Sequence, residues 1–299
     1  MKPRHPIYIP SKGRAGQSQT ARMFDKWGVD YNVVVEPQDV AAYAERIDFD
    51  RLVVLPDNDR GLVFARNFIK DHSIAAGAER HWQFDDDIQE MRRLYKGYRL
   101  PVDAGVALHI AEGFTDRYEN IALTSFNNIG FLPCSHGTTQ TKFPPFYLNV
   151  RCYTCFLVDN SLPNRWRFRY NEDTDMTLQV LADGYCTVLF NAFHMNTGPT
   201  NSGGATTKAG GQASVYADDG RLKMARDLER VWPGVVTTKR RFGRPQHVVN
   251  WRKFDTPLRR REDIDWKALA AGGADEFGLV MRAAAPVKSP ELRRLFDDN

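Results

Sequence analysis

Short apolar runs in the first third of the chain alternate with segments that have helical spacing. The runs are rich in β-branched and aromatic residues, and they occupy residues 6–10, 31–37, 51–56 and 81–84. Such runs are typical of buried strands. Between them, residues such as Thr20, Phe24 and Trp27 recur three or four positions apart, which predicts amphipathic helices. Strands that alternate with helices predict an α/β fold with a mostly parallel central sheet and helices on both of its faces.

Helical and strand patterns continue to about residue 231. Val102, Val106, Ile110 and Phe114 stand at i, i+4 steps and predict another helix. Later strands are predicted at 120–126, 147–158 and 187–196, and later helices at 169–186 and 221–231.

Composition changes beyond this alternating part of the chain. Residues 199–211 are mostly Gly, Thr, Ser and Ala, which predicts a mobile loop that could close over a ligand. We therefore expect an α/β domain over residues 1–210 and a basic C-terminal extension over residues 211–299 that packs on it.

Three adjacent carboxylates follow the apolar run at 81–84. Asp85, Asp86 and Asp87 repel one another, and either water or a divalent cation would relieve the repulsion. In open α/β sheets ligands bind beyond the carboxyl ends of the strands. The triplet, the loop at Gly13 and the turn at Asp57 are therefore expected to share one rim of the sheet. A solvated turn or a helix N-cap is the alternative explanation of the triplet.

The length and composition of the chain limit the classes of protein to which it can belong. A chain of 299 residues with 42% hydrophobic residues can bury a large core. No apolar run reaches the roughly 18 residues that a transmembrane helix needs, so no membrane role is expected. The N-terminal residues lack the apolar segment of a signal peptide. We expect a cytoplasmic protein without an obligatory protein partner.

Four cysteines in a chain of this length do not predict a disulfide framework. Cys134, His136, Cys152 and Cys155 could instead form a zinc site. Against this, a strand over 147–158 would point Cys152 and Cys155 to opposite faces, which favours ordinary packed thiols.

Positive charge is concentrated near the C-terminus, although the net charge of the chain is only +4. Residues 239–261 contain nine Lys or Arg residues and one acidic residue, Asp255. Phe242, Trp251 and Phe254 are interleaved with these cations. Cations neutralise phosphates and aromatic rings stack on exposed bases, so a nucleic acid is the predicted partner. A membrane surface or an exposed charged tail would suit the same composition.

The order of motifs over residues 6–200 resembles that of GT-A glycosyltransferases. The motifs are a basic loop after the first strand, Ala65-Arg66-Asn67 in a helix, Asp85-x-Asp87, Glu172-Asp173 at a helix start and His194 on a later strand. Among these enzymes the chain is most similar to the TET-associated glycosyltransferases, phage-encoded enzymes that glycosylate modified bases in DNA. The resemblance implies a GT-A fold, with a nucleotide-sugar half over about 1–100 and an acceptor half over about 101–210.

The resemblance also implies a metal–diphosphate site. Asp87 would bind the cation directly, and Asp85 would face the ribose or the waters of the metal. Asp86 would turn away or contact the sugar, and His194 would be a third metal ligand, although a lone strand histidine is more often a core residue. Mn²⁺ and Mg²⁺ suit such oxygen-rich sites. Arg14 and Arg66 are predicted to bind the donor, although either could instead be a surface charge. The full set of predicted donor-binding residues is Pro10, Ser11, Gly13, Arg14, Asp57, Arg66, Asn67, Asp85 and Asp86.

Sugar transfer needs a base that accepts the proton of the acceptor hydroxyl. We predict Asp173 as this base, with Glu172 supporting it. The alternative is that these acids only favour a helix N-terminus. A base at Asp173 would imply inversion at the anomeric carbon, whereas a retaining mechanism would not need it.

The sequence thus predicts a metal-dependent hexosyltransferase that uses a UDP-sugar. Its expected acceptor is a 5-hydroxymethylated pyrimidine such as 5-hydroxymethylcytosine in bacteriophage DNA, reached in the host cytoplasm if a phage encodes the chain. One alternative is a GT-A enzyme with a glycan or cell-envelope acceptor. Another is a non-catalytic nucleic-acid-binding protein of GT-A shape. A nuclease is disfavoured because no second cluster of carboxylates lies nearby.

Overall fold

A computed structural model describes residues 1–95, 98–132, 144–197, 220–241 and 243–273. The chain divides into two compact units, Met1–Arg259 and Arg260–Asn299. The predicted mobile loop at 199–211 lies outside the described residues, as do Cys134, His136 and Phe242. Among the helices in the described ranges, none combines the length and apolar character that crossing a bilayer requires.

The helices and strands follow the predicted alternation in the first half of the chain. The strands are β1 (Ile7–Pro10), β2 (Asn32–Val35), β3 (Leu52–Val54), β4 (Arg80–Phe84), β5 (Glu90–Tyr95), β6 (Tyr98–Val102), β7 (Ile121–Asn128), β8 (Phe146–Leu148), β9 (Cys155–Asp159), β10 (Cys186–Asn196), β11 (Val236–Arg241) and β12 (Arg244–Val249). The helices are α1 (Gln19–Trp27), α2 (Val40–Ala44), α3 (Leu62–Ala75), α4 (Ala104–Thr115), α5 (Glu172–Ala182), α6 (Gly220–Val231) and α7 (Trp266–Ala271).

One large sheet forms the centre of the first unit. Its strand order is β3-β2-β1-β4-β9-β7-β10-β5-β6, and β8 pairs with β10. The pairs among β3, β2, β1 and β4 are parallel, and so is the pair of β7 with β10. β9, β5 and β6 run antiparallel to their neighbours. The α/β fold with a large central sheet flanked by helices is confirmed, and it is consistent with the GT-A fold.

β4 shows how the sequence builds two helical layers around this sheet. All five of its residues are buried, and neighbouring side chains point to opposite faces. On one face Trp82 donates to Glu112 of α4 at 2.8 Å. On the other face Gln83 donates to the main-chain oxygen of Arg66 in α3 at 3.1 Å. Trp82 and Phe84 therefore lie on the face toward α4, and His81 and Gln83 lie on the face toward α3.

The continuous strand predicted over 147–158 is wrong. β8 ends at Leu148 and β9 begins only at Cys155. Between them Asn149 (φ 57°) and Thr154 (φ 66°) adopt left-handed backbone conformations, which interrupt an extended chain. For a β-branched residue such as Thr154 this conformation is strained, and strain of this kind is concentrated at functional sites.

Cys152 and Cys155 are buried free thiols. The sulfur of Cys152 donates to the main-chain oxygen of Val188 at 3.7 Å, and the sulfur of Cys155 lies 3.7 Å from the hydroxyl of Ser125. Burial raises the pKa of the Cys155 thiol to about 12, so the group stays protonated at neutral pH. Within the described ranges, no group of three or more His, Cys, Asp or Glu could hold a metal ion.

Two hairpins are absent from the sequence prediction. β5 and β6 form an antiparallel pair at one edge of the sheet, so Val102 belongs to a strand instead of the predicted helix. The helix begins at Ala104, where the side chain of Asp103 accepts the amide hydrogen of Gly105 at 2.7 Å. The basic stretch folds as the second hairpin, β11–β12, followed by a short 3₁₀ turn at Trp251–Lys253.

Candidate active site

The acid triplet stands where β4 leaves the sheet. The amide of Asp85 donates to the main-chain oxygen of Thr154 at 2.9 Å, so the strained connection between β8 and β9 fixes the first acid. The main-chain oxygen of Asp86 accepts the amide of Gln19 at 2.9 Å, at the start of α1. The triplet is therefore held by main-chain contacts on two sides, at the rim where the sequence predicts it.

The three carboxylates have different surroundings. Asp85 pairs with Arg66, whose Nη2 lies 2.7 Å from its Oδ1. Asp86 accepts from Nη1 of Arg14 at 2.7 Å and from the hydroxyl of Ser11 at 2.8 Å. Asp87 is exposed to solvent. Asp86 therefore fastens the loop after β1, while Asp87 remains accessible to a ligand from solvent.

Negative charge in the triplet is incompletely neutralised. Desolvation raises the pKa of Asp85 to about 7; Arg66 opposes the shift, and Asp87 and Glu172 add to it. Partial desolvation and the charge of Asp86 also raise the pKa of Asp87, although its side chain reaches solvent. Adjacent carboxylates with raised pKa values fit a hard divalent cation, which binds oxygen atoms and would neutralise them. Mg²⁺ needs only one or two carboxylates when phosphates and waters complete its shell.

His194 does not join this group. Within the part of the chain that the structure describes, Asp85, Asp87 and His194 do not form a group that could hold a metal ion. Burial lowers the pKa of His194 to about 4, with Arg99 and Arg92 adding to the shift. His194 is thus a buried, neutral side chain near cations.

The loop after β1 reaches the site through Arg14, as its contact with Asp86 shows. Gly13 has a left-handed φ of 62°, and its amide donates to Asp39 at 3.0 Å. The amide of Arg14 donates to the hydroxyl of Tyr43 at 3.1 Å. These two amides are therefore engaged within the protein, so a diphosphate at this loop would meet side chains first.

Three other predicted donor residues, Pro10, Asp57 and Asn67, differ in their surroundings. Pro10 ends β1, directly before the loop. Asp57 is exposed and pairs with Arg60 at 2.9 Å, which lowers the pKa of Asp57. The side chain of Asn67 makes two hydrogen bonds of 2.9 Å with the main chain of Trp166, donating to its oxygen and accepting from its amide. Asn67 therefore holds Trp166 in place beside the site.

Arg66 connects the two halves of the site. Its side chain is 1% exposed, and its guanidinium lies 5.0 Å from the ring of Phe156 and 4.9 Å from the ring of Trp166. Its Nη2 contacts Asp85, and its Nε lies 4.0 Å from Oε1 of Glu172. The acid triplet from β4 and the acid pair from α5 therefore meet at one buried guanidinium.

The two members of the acid pair differ. α5 begins at Glu172, after Asn171 in a left-handed conformation (φ 59°). Burial, followed by the charge of Asp173, raises the pKa of Glu172 to about 7. Oδ2 of Asp173 accepts from Nε and Nη2 of Arg151 at 2.9 and 2.6 Å, and its Oδ1 accepts the amide of Thr174 at 2.6 Å. Glu172 therefore shares the Arg66 site, whereas both oxygens of Asp173 are already engaged.

The family model of TET-Associated Glycosyltransferases matches residues 5–204. The chain belongs to the TET-associated glycosyltransferase family. Comparison with curated proteins finds none that matches. The matched residues include the acid triplet, Arg66, the acid pair and His194. The protein is a glycosyltransferase and uses a sugar donor and an acceptor.

This TET-associated glycosyltransferase has site residues that the motif order does not reveal. Arg151 binds Asp173, and its guanidinium lies 5.2 Å from the ring of Tyr153. His247 of β12 has its pKa lowered to about 4 by burial; Arg151 lowers it further and Asp173 opposes. His247 follows Asp173 by more than 70 residues and lies beyond the family match, so no local motif marks it.

Proposed function

We propose that this glycosyltransferase moves a hexosyl group from a UDP-sugar onto the hydroxymethyl group of a modified pyrimidine in DNA. The observation that carries the proposal is the meeting of Asp85 and Glu172 at Arg66. It brings the carboxyl end of β4, which suits the diphosphate, next to an acid that suits the acceptor hydroxyl. Membership of the TET-associated family supports the choice of a modified base as the acceptor.

Asp87, with Asp85, would hold Mn²⁺ or Mg²⁺ in this proposal. When bound, the cation would neutralise the negative charge that develops on the diphosphate as the sugar–phosphate bond breaks. Arg14 lies next to the triplet through Asp86 and adds a guanidinium on the same side. Arg66 limits the repulsion between Asp85 and Glu172, so that both remain at the site in the absence of donor.

Glu172, and not Asp173, is the base in this proposal. A base works best when its pKa is near the working pH, and the pKa of Glu172 is raised to about 7. In a single displacement the acceptor oxygen bonds to the anomeric carbon, and the bond from that carbon to the diphosphate oxygen breaks. The diphosphate leaves with the electron pair, and Glu172 takes the hydroxyl proton. Inversion at the anomeric carbon follows.

The test uses the full chain, a panel of UDP-sugars, Mn²⁺ and two duplexes of the same sequence. One duplex carries 5-hydroxymethylcytosine and the other carries cytosine. We expect sugar on the hydroxymethylated duplex alone, loss of transfer with EDTA and recovery with excess Mn²⁺. Asp87→Ala should lower the rate by about 100-fold or more because a preorganised charge contact is lost. Asp50→Ala, which removes an exposed acid of the turn before β3, is the matched control.

Other outcomes would contradict specific parts of the proposal. Transfer to a glycan acceptor without transfer to the hydroxymethylated duplex would replace the DNA assignment. DNA binding that survives Asp87→Ala, with no UDP released from any donor, would indicate a non-catalytic binding protein. Nicking of plasmid DNA would indicate a nuclease.

A further inference from the structure

Residues 220–259 lie beyond the family match but dock on the helix that carries the acid pair. The side chain of Asn171, the residue before α5, donates to the main-chain oxygen of Met224 in α6 at 3.3 Å. Trp232 donates through Nε1 to Asp175 in the first turn of α5 at 2.8 Å. Leu178 of α5 is buried in one apolar cluster with Leu228 of α6 and Val236 of β11. The α6 helix and the β11–β12 hairpin are thus fixed to the first turns of α5.

The register of the hairpin shows which of its residues point toward the acid pair. Val236 lies opposite Val249, Thr238 opposite His247, and Arg240 opposite Pro245. Directly opposed residues share a face, and every second residue of a strand lies on that face. The face begins at the buried Val236, which packs in one cluster with Leu178 of α5, continues with His247, and ends with the exposed Arg240. Arg240 is two residues, or about 7 Å, farther along the strand than Thr238.

The tip of the hairpin is strongly basic. Lys239, Arg240, Arg241 and Arg244 stand within six residues, and residues 236–249 include no Asp or Glu. Lys239, Arg240 and Arg244 are exposed. Lys239 and Arg244 lie on the face opposite Arg240, so cations flank both sides of the strand pair near its turn. A surface of this kind suits a polyanion that runs past the acid pair, and phosphates flanking an acceptor nucleotide have that arrangement.

We propose that the β11–β12 hairpin is the nucleic-acid-binding element of this enzyme, with Arg240 and Arg244 on phosphates that flank the acceptor nucleotide. The proposal rests on the proposed function in that the acceptor is a base in DNA. It adds the surface that holds the DNA and assigns it to residues outside the matched family region. The phosphate contacts position the strand and do not read its sequence.

The experiment compares two double variants of the full chain that remove the same charge. Arg240→Gln with Arg244→Gln tests the hairpin. Lys2→Gln with Lys26→Gln is the control, since both lysines are exposed and lie outside the hairpin. Affinity for hydroxymethylated duplex DNA is measured by fluorescence anisotropy across a series of salt concentrations. We expect the hairpin variant to bind about tenfold more weakly, with a salt slope shallower by about 2, because each phosphate contact contributes about 0.9 to the slope. The control should match the wild type.

An unchanged affinity and slope in the hairpin variant would overturn the proposal. Equal losses in the two variants would also overturn it, because they would report net charge alone. Hairpin-dependent binding of anionic phosphatidylserine vesicles without DNA binding would replace DNA with a membrane surface.

Donor binding is followed separately, by the thermal shift that a UDP-sugar with Mn²⁺ produces. A shift retained in the hairpin variant shows that the variant is folded. If the wild type binds DNA through the hairpin but neither binds a donor nor transfers sugar, the proposed function fails and the hairpin assignment stands. If the wild type glycosylates DNA and the hairpin variant does so equally well, the hairpin assignment fails and the function stands.

Discussion

Arg66 is the residue that joins the two acidic groups of the site. Its guanidinium is buried between two aromatic rings and meets carboxylates from β4 and α5. A buried cation is tolerated only when charged partners and ring faces replace its water. The sequence motif places Arg66 near the diphosphate, but its contacts show that it organises the acids. The role follows from Phe156 and Trp166, which lie about 90 and 100 residues farther along the chain and have no local sequence signature.

The raised pKa of Asp85 predicts a pH-dependent stability. In the folded state the group binds its proton up to about pH 7, whereas its ordinary value is 3.8. The free energy of unfolding should therefore fall as pH rises from about 4 through 7, because the folded state binds more protons than the unfolded state. Asp85→Asn removes this dependence. In urea unfolding with EDTA present, the stability of the variant relative to the wild type should be higher at pH 8 than at pH 5.

Asp57→Asn is the control for this measurement. The pKa of Asp57 is lowered by Arg60, so its contribution does not change between pH 5 and 8. A difference between Asp85→Asn and the wild type that is the same at both pH values would contradict the assigned environment of Asp85.

Glu172 and Asp173 are expected to contribute differently to catalysis. Glu172→Gln should lower kcat by about 100-fold or more, since it removes the proton acceptor. Asp173→Asn weakens the bond to Arg151 and should act more on the KM for the acceptor than on kcat. For the wild type, kcat/KM should rise as pH increases through about 7, where the Glu172 carboxyl loses its proton. A larger kcat loss for Asp173→Asn would restore Asp173 as the base.

At the level of helices and strands, prediction succeeds where pattern and local chemistry agree. β4 is a short apolar run closed by charges, and the sequence predicts both the strand and its acidic end. The strand predicted over 147–158 fails because a left-handed Thr154 inside an apolar run has no mark in the sequence. The sequence analysis does not predict the β11–β12 hairpin, because Lys and Arg residues replace the alternating apolar side chains by which a strand is recognised. Its location is determined by distant contacts with α5.

Asp175 joins α5 to the C-terminal segment through Trp232, so its substitution measures how much this contact stabilises the fold. The residue is fully buried and accepts hydrogen bonds from Arg167, Gln179 and Trp232. Asp175→Ala should lower the free energy of unfolding by about 3 kcal/mol, because Gln179 and Trp232 lose the buried carboxylate that accepts their hydrogen bonds. Asp227→Ala, which breaks a surface pair with Arg230, should cost at most about 0.5 kcal/mol. Urea unfolding followed by tryptophan fluorescence measures both, and equal losses would refute a structural role for Asp175.

At the scale of the whole molecule, the family match and the compact unit have different ends. The match stops at residue 204, whereas the first compact unit continues to Arg259. α6 and the hairpin supply one side of the apolar cluster around Leu178. The GT-A resemblance covers residues 6–200, which include the acid triplet and Arg66. The acceptor side that we propose uses residues that the resemblance does not include.

The docking of α6 on α5 has a practical consequence for making shortened proteins. A gene fragment that stops at codon 204 would leave Leu178 and Phe168 without the covering residues Leu228 and Trp232. We expect that product to collect in the insoluble pellet of a bacterial lysate, since uncovered apolar surface drives aggregation. A fragment that stops after Arg259 should stay in the supernatant with the fluorescence spectrum of buried tryptophan. Equal yields of the two soluble fragments would show that the cluster does not hold the fold together.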